Sequence, residues 1–255
     1  MRHLETKSLL GSIQTMISKR PLFGALLIFI GTQTFAQTPG NIGKLQSSDR
    51  SAILFQDDFQ NGDQWLGEFE EAGELRFAKG MIDIVAPKGA TLWFRPKLSG
   101  PLEIEYQVQA VAEGGPFDRV SDLNCFFMAT DPLRPKDFFS PARSGKFEDY
   151  NTLRMYYVGL GGNRNTTTRF RRYIGDPQER PLLPENDRSQ PQDMIQPNAW
   201  QTIRITVHGS DIRYFRDDVK LFHYDDPAPY REGWFGLRTT LNHMRVRNFR
   251  VYRLN

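Results

Sequence analysis

Between Ala52 and Leu254 the chain repeats one local pattern. A short run rich in Val, Ile, Phe, Tyr and Thr is followed by turn residues and then by another run, about every ten residues. The runs are Ala52–Phe55, Glu74–Phe77, Met81–Val85, Thr91–Phe94, Leu102–Ala110, Asn124–Ala129, Leu153–Leu160, Thr166–Tyr173, Gln201–His208, Ile212–Arg216, Val219–Tyr224, Trp234–Thr239 and Met244–Leu254. Strand-length segments at this spacing predict an all-β fold, a sandwich or jelly roll of two antiparallel sheets. No window sustains a helical 3.6-residue repeat with caps at both ends. A single cysteine, Cys125, cannot close an intramolecular bridge, so the fold must rest on its core. One stretch, Gly175–Asn198, is long, proline-containing and unpatterned; it reads as a functional or mobile excursion. The chain from 51 to 255 reads as one domain.

The period of two assigns faces. Leu102, Ile104, Tyr106 and Val108 point inward, with Glu103, Glu105, Gln107 and Gln109 outward. Leu153, Met155 and Tyr157 share one face of their strand, while Arg154 and Tyr156 share the other. In the next strand Thr167, Arg169, Arg171 and Tyr173 oppose Thr166, Thr168, Phe170 and Arg172. Arginine on both faces of one strand is not ordinary core.

The N-terminus reads as an address. Lys19 and Arg20 precede an apolar run from Pro21 to Ile30, and Thr34 and Ala36 supply small-residue positions before a cleavage point. About ten apolar residues fall short of the roughly 20 that span a bilayer. Residues 1–36 are therefore expected to be a signal peptide and 37–50 a flexible lead-in, giving a periplasmic or secreted protein with no membrane association after cleavage. Segment 1–36 carries four basic side chains and one acidic one, so its removal leaves 29 of each sign. A neutral mature chain gives no support to nucleic-acid binding.

Charge is nonetheless concentrated. Segment Asn151–Gly175 holds Arg154, Arg164, Arg169, Arg171 and Arg172 and no acidic residue. Tyr150, Tyr156, Tyr157 and Tyr173 are interleaved, and Gly159, Gly161, Gly162, Asn163 and Asn165 mark the turn. Guanidinium forks match carboxylate or sulfate, and tyrosine rings stack on sugar faces, so the hairpin suits an anionic glycan. The competing reading pairs these arginines with acids elsewhere, such as Glu103 and Glu105. Asp118, Arg119, Asp122 and Asn124 form a second polar cluster, either a ligand loop or an Asx-turn network. Arg238 and His243 lie in the closing segment, where Arg238 faces away from Phe235 and Leu237.

Three blocks, LRMYYVGLGGNRNTTTRFRRY, DRVSDLNCFFMATDP and GWFGLRTTLNHMRVRNFRVYRL, carry a resemblance over about Leu54–Leu254. The chain resembles a bacterial family of unknown function with concanavalin A-like jelly-roll folds, similar to the YesU-like proteins of polysaccharide-utilisation loci. The resemblance implies two stacked antiparallel sheets with a glycan-facing groove, and supplies no agreed catalytic residues.

Three functions follow for such a chain. A lyase acting on a uronate polymer must neutralise a carboxylate and hold a base. Arg119, Arg154, Arg169, Arg171 or Arg238, with Asn124, Asn163 or Asn165, suit the first task, Arg171 foremost. Tyr156, Tyr173 or His243 suit the second, with neighbouring arginines lowering a phenol's pKa. A glycoside hydrolase would use two carboxylates, for which Glu103 and Glu105 have permissive spacing. A carbohydrate-binding module needs neither. No cofactor is required, although Asp57 and Asp58 suit a structural calcium ion as well as they suit an acidic turn.

Overall fold

The computed structural model describes residues 49–255. The expected signal peptide and nearly all of the expected lead-in lie outside these residues, and Arg50, read as the end of the lead-in, already belongs to a strand. Fourteen strands are present: β1 (Arg50–Asp57), β2 (Trp65–Phe69), β3 (Glu74–Ala78), β4 (Met81–Phe94), β5 (Leu98–Ser99), β6 (Leu102–Ala110), β7 (Asn124–Thr130), β8 (Arg154–Gly161), β9 (Thr167–Ile174), β10 (Asp187–Arg188), β11 (Gln201–His208), β12 (Asp211–Arg216), β13 (Val219–Asp225) and β14 (Glu232–Leu254). All-β architecture is what the run spacing predicts. No helix among the described residues is long and apolar enough to cross a membrane.

The strands pair antiparallel in the order β10-β9-β8-β7-β14-β6-β11-β12-β13. β14, 23 residues long, organises both layers. One edge of its first half pairs with β7 and the same edge of its second half with β6. Its other edge takes β4 and then β1. The register shifts between Thr240 and Asn242, where Leu241 adopts a left-handed φ of 46°. Such a bulge bends a strand and increases its twist, which here turns the sheet from one layer into the other. The front layer is thus β10-β9-β8-β7, the first half of β14, the end of β4, and β2. The back layer is β13-β12-β11-β6 with the second half of β14.

Aromatic rings fill the space between the layers. Phe170 on β9 meets Phe222 on β13 with centroids 6.0 Å apart, and Tyr106 on β6 meets Phe235 on β14 at 5.5 Å. Leu102, Ile104, Tyr106 and Val108 point inward as the alternation predicts. Glu103, on the outward face, is nevertheless only 1% exposed, because Arg50 and Arg204 cover it. Cys125 is buried in this core, and burial pushes its thiol up to about 12, so it acts as a small apolar side chain.

The outer face of the front layer carries a second apolar cluster. Trp93, Phe126 and Met155 from the strands pack with Phe138, Tyr150 and Leu153 from the connection between β7 and β8. That connection forms a wall across half of the face and leaves the other half open.

Candidate functional site

Register lines up one transverse row on the outer face. Glu68 of β2 opposes Thr91 of β4, Thr91 opposes Arg238 of β14, and Arg238 opposes Asn124 of β7. With Cys125 opposite Val158, the row continues to Gly159 of β8, then to Arg169 of β9 and Asp187 of β10. The adjacent row runs Trp93, Gly236, Phe126, Tyr157, Arg171. The first half of each row lies beneath the wall. The second half lines an open basin of about 450 Å³.

The wall is pinned from below by Glu68. Its carboxylate accepts from Trp93 Nε1 at 2.9 Å, Tyr150 Oη at 2.9 Å and the Arg143 amide at 2.9 Å. Arg143 also donates to Asp131 at 2.7 Å inside the wall. A buried carboxylate with this many donors is fully satisfied, so its burial holds the wall in place at no cost in unpaired groups. Gly145, at φ 83°, brings the wall backbone against β2, where a Cβ would lie 2.3 Å from the Glu70 nitrogen.

Arg238 emerges under that wall edge and is 3% exposed. Its Nη1 donates to Thr91 Oγ1 at 3.1 Å and to the Gly145 carbonyl at 2.6 Å. The Phe147 and Tyr150 ring centroids each lie 5.4 Å from its guanidinium carbon. No carboxylate among the described residues comes within ion-pair distance of it, and burial pulls its pKa below the ordinary arginine value. Beside it Asn124, 4% exposed, donates to Asp122 at 3.2 Å and leaves its buried Oδ1 without a partner.

Across Gly159 stands the opposite wall. Arg171 donates to the Arg180 carbonyl at 2.9 Å, and Arg169 pairs with Asp187 at 2.6 Å. Tyr157 lies between the walls, its ring packed by Phe126, Phe147 and Tyr173 at centroid distances of 5.5, 5.6 and 6.0 Å. Burial pushes the Tyr173 phenol up, while the guanidinium groups of Arg180 and Arg171 pull in the other direction. The basin also has acids. Asp122 is matched by Arg119 at 2.8 Å, Glu70 accepts from the Gly89 amide at 3.2 Å, and Glu148 is exposed at the rim.

Six of the residues expected from sequence meet here: Asn124, Asn163, Arg169, Arg171, Tyr173 and Arg238. The others do not. Tyr156 looks into the core, with its hydroxyl donating to Asp226 at 2.6 Å; burial and that carboxylate push its phenol up, outweighing Arg172, so it is no base for this basin. His243 lies past the bulge, clamped between Asp118 and Asp83 at 2.9 Å each, and does not line the basin. Arg119 is turned back onto Asp122 and the Thr240 carbonyl. Arg154 is exposed at the far end of β8. Asn165 ties the turn to Ile195, its side-chain amide donating to the Ile195 carbonyl and accepting from the Ile195 amide at 2.9 Å each.

Glu103 and Glu105 are both engaged by Arg50, away from the basin, which removes them as a hydrolytic pair. Two of the five hairpin arginines do pair with acids from elsewhere, as the competing reading expects, although not with Glu103 or Glu105: Arg169 takes Asp187 and Arg172 takes Asp226. Asp57 accepts from Phe59 N at 2.7 Å and Trp65 Nε1 at 2.8 Å, as an acidic turn does. Among the described residues no cluster of three or more metal-ligating side chains occurs. The 175–198 stretch is tied down at Ile195 and where Arg216 donates to the carbonyls of Asp193 and Met194 at 3.0 Å each. Sequence reasoning missed Phe147, Glu70, Glu148 and Arg180 at the basin. It also left Tyr157 without a role, although its alternation with Tyr156 and its place opposite Arg171 carried the signal.

A family model described as a domain of unknown function, DUF6250, matches residues 84–249. No curated protein matches the chain. Among solved structures, a protein of unknown function with a galectin-like fold from Bacillus subtilis superposes with a TM-score of 0.60 at 14% identity, covering 80% of this chain and 97% of that one. The carbohydrate-binding module CBM66 from Bacillus subtilis gives 0.51 at 12% identity, over 75% and 97% of the two chains. A structure from work on endo-acting O-glycanases of the human gut microbiota gives 0.54 at 11% identity, over 80% and 100%. These likenesses establish a galectin-like sandwich.

Proposed function

We propose that this chain, which belongs to the DUF6250 family, is an exported carbohydrate-active protein that holds an acidic, uronate-containing glycan in the basin of its front layer. One observation carries the reading: Arg171, Arg180 and Arg238 line one cavity without a carboxylate in ion-pair distance among the described residues, beside the rings of Tyr157 and Tyr173. Guanidinium groups left free of protein acids supply charge-assisted donors to a carboxylate, and tyrosine rings supply a platform for sugar faces. The fold likeness to a carbohydrate-binding module and to a structure from work on O-glycanases fits this reading, as does the resemblance to proteins of polysaccharide utilisation. Affinity gel retardation tests it. Polygalacturonate or alginate in the gel is expected to slow the protein, more strongly at low salt, while a neutral glucan leaves it unretarded. Equal retardation by neutral and acidic polymers would overturn the acidic specificity.

The same basin supports a second reading, cleavage by β-elimination, in which Arg171 neutralises the uronate carboxylate, Tyr173 as phenolate takes the proton α to it, the C4–O4 glycosidic bond breaks as the C4–C5 double bond forms, and the leaving oxygen takes that proton back from the Tyr173 hydroxyl. The position of Tyr173 in the basin beside Arg171 and Arg180 is the observation behind it; burial holds the phenol above the ordinary tyrosine value and those cations offset that in part. Elimination leaves an unsaturated uronate that absorbs in the ultraviolet. Its appearance with acidic polymer, and its loss in Tyr173→Phe, is the expected result. Retardation with no such absorbance reduces the function to binding.

A further inference from the structure

We infer that the basin takes two anionic groups of one oligosaccharide at once, Arg238 reading one and Arg171 with Arg180 the other. This rests on the acidic-glycan reading above and adds the number and placement of the charges. The walls are set apart by the sheet itself. Arg238 and Arg169 occupy one transverse row with Asn124 and Gly159 between them, three strand spacings or about 14 Å at the backbone. Arg171 is one step along β9 on the same face. The two arginine groups rise from opposite ends of that gap, so two carboxylates on linked sugars can each meet one of them.

Between the two walls the Tyr157 ring leans over Gly159, where a Cβ would meet its hydroxyl at 2.6 Å, so the glycine lets the ring lie across the floor as the surface a chain passes along. Each wall is built for an external anion. Arg238 is buried, fixed through Nη1 to Thr91 and Gly145, and lacks an acidic partner among the described residues, an arrangement whose desolvation a bound carboxylate offsets. The unpartnered Asn124 Oδ1 beside it is an acceptor positioned for a sugar hydroxyl, which places a carboxylate and a hydroxyl of one residue at this end. On the other side Arg171 donates only to a carbonyl, and Arg180 is exposed. Of the acids present, Asp122 is matched by Arg119 from outside the basin, Glu70 accepts from the Gly89 amide and acts on Arg238 only from beyond ion-pair distance, and Glu148 sits at the exposed rim, so none closes the two cationic ends.

The test is calorimetric titration of the full chain with galacturonate monomer, dimer and the two singly methyl-esterified dimers, with a neutral dimer as reference. The dimer is expected to bind roughly tenfold or more tightly than the monomer, and each ester to lose most of that gain. Arg171→Ala is expected to cost the dimer a similar factor. Combined with one ester it costs nothing further, and combined with the other it costs the full factor again. Asn124→Asp, which places a carboxylate beside Arg238, reports on the other end and is expected to be non-additive with the opposite ester. Thermal melts confirm that both variants are folded. Monomer and dimer binding equally, or Arg171→Ala adding fully to both esters, would overturn the two-anion geometry while leaving acidic recognition standing. Neutral dimer binding as well as the acidic one would instead remove the reading on which it rests.

Discussion

Tyr156 and Tyr157 are adjacent on β8 and serve opposite faces of the same sheet. Tyr156 packs into the core against Phe127 and donates to Asp226, while Tyr157 lines the basin opposite Arg171. One substitution type therefore separates structure from function. Tyr156→Phe removes a buried hydrogen bond to a charged group and is expected to cost about 1.5–3 kcal/mol in urea denaturation, with glycan retardation unchanged once folded. Tyr157→Phe is expected to weaken retardation with a smaller loss of stability.

Glu68 anchors the wall through three donors. Glu68→Ala leaves those groups buried without their acceptor and is expected to cost about 3–5 kcal/mol. Limited proteolysis should then cut first between Asp131 and Thr152. Cleavage elsewhere first would show that the wall is held by its apolar contacts.

Gly159→Ala places a methyl group against the Tyr157 hydroxyl. The ring end can shift, so the stability change is expected to be about 1 kcal/mol or less. Retardation by acidic polymer is expected to fall clearly, since the Tyr157 ring that forms the floor is displaced. Unchanged binding would place the ligand elsewhere.

Acid should loosen two loops. Burial raises the Asp118 carboxyl, but the amides of Gly115 and Glu113 and the His243 ring outweigh it and hold it below the ordinary aspartate value. Asp149 is likewise held low, by the Ser144 hydroxyl above all. A carboxyl whose folded pKa lies below its unfolded value of about 3.9 adds stability that is complete above that pH and is lost as pH falls through the folded value. The melting temperature is expected to drop below about pH 4, less so in Asp149→Asn.

Alkali acts through the phenols. Burial raises Tyr150, Tyr156 and Tyr173 above the ordinary tyrosine value. Their stabilising contribution is complete below an unfolded pKa of about 10 and is lost as pH rises above it. Spectroscopic titration should show these phenolates appearing with unfolding. A phenolate in the folded protein near neutrality would mark an activated Tyr173 and strengthen the elimination reading.

Much of this was legible in the chain. Alternation alone set Arg169, Arg171 and Tyr173 on one face of β9 and opposed Tyr156 to Tyr157. It did not say which face was core, because both carry aromatic residues. Two pairs of runs are each one strand, β4 and β14, and the break in β14 is the bulge at Leu241, a φ change that leaves no mark in hydrophobic pattern. The wall was invisible because Phe138 reaches the sheet from a turn and Phe147 and Tyr150 from a single four-residue 3-10 turn, too short to show a period. Ion-pair partners such as Asp187 and Asp226 are fixed by register between distant segments, which composition does not encode.

β14 also fixes the order in which the molecule can be made. The final 23-residue strand gives hydrogen-bond partners to β1, β4, β5, β6 and β7, and Arg50 near the start closes against Leu254 at the end. A growing chain that has not reached its last strand has neither sheet complete and carries open strand edges. Assembly of the two layers must therefore wait for β14, and deletion of Glu232–Leu254 would leave β1, β4, β6 and β7 each with an unpaired edge.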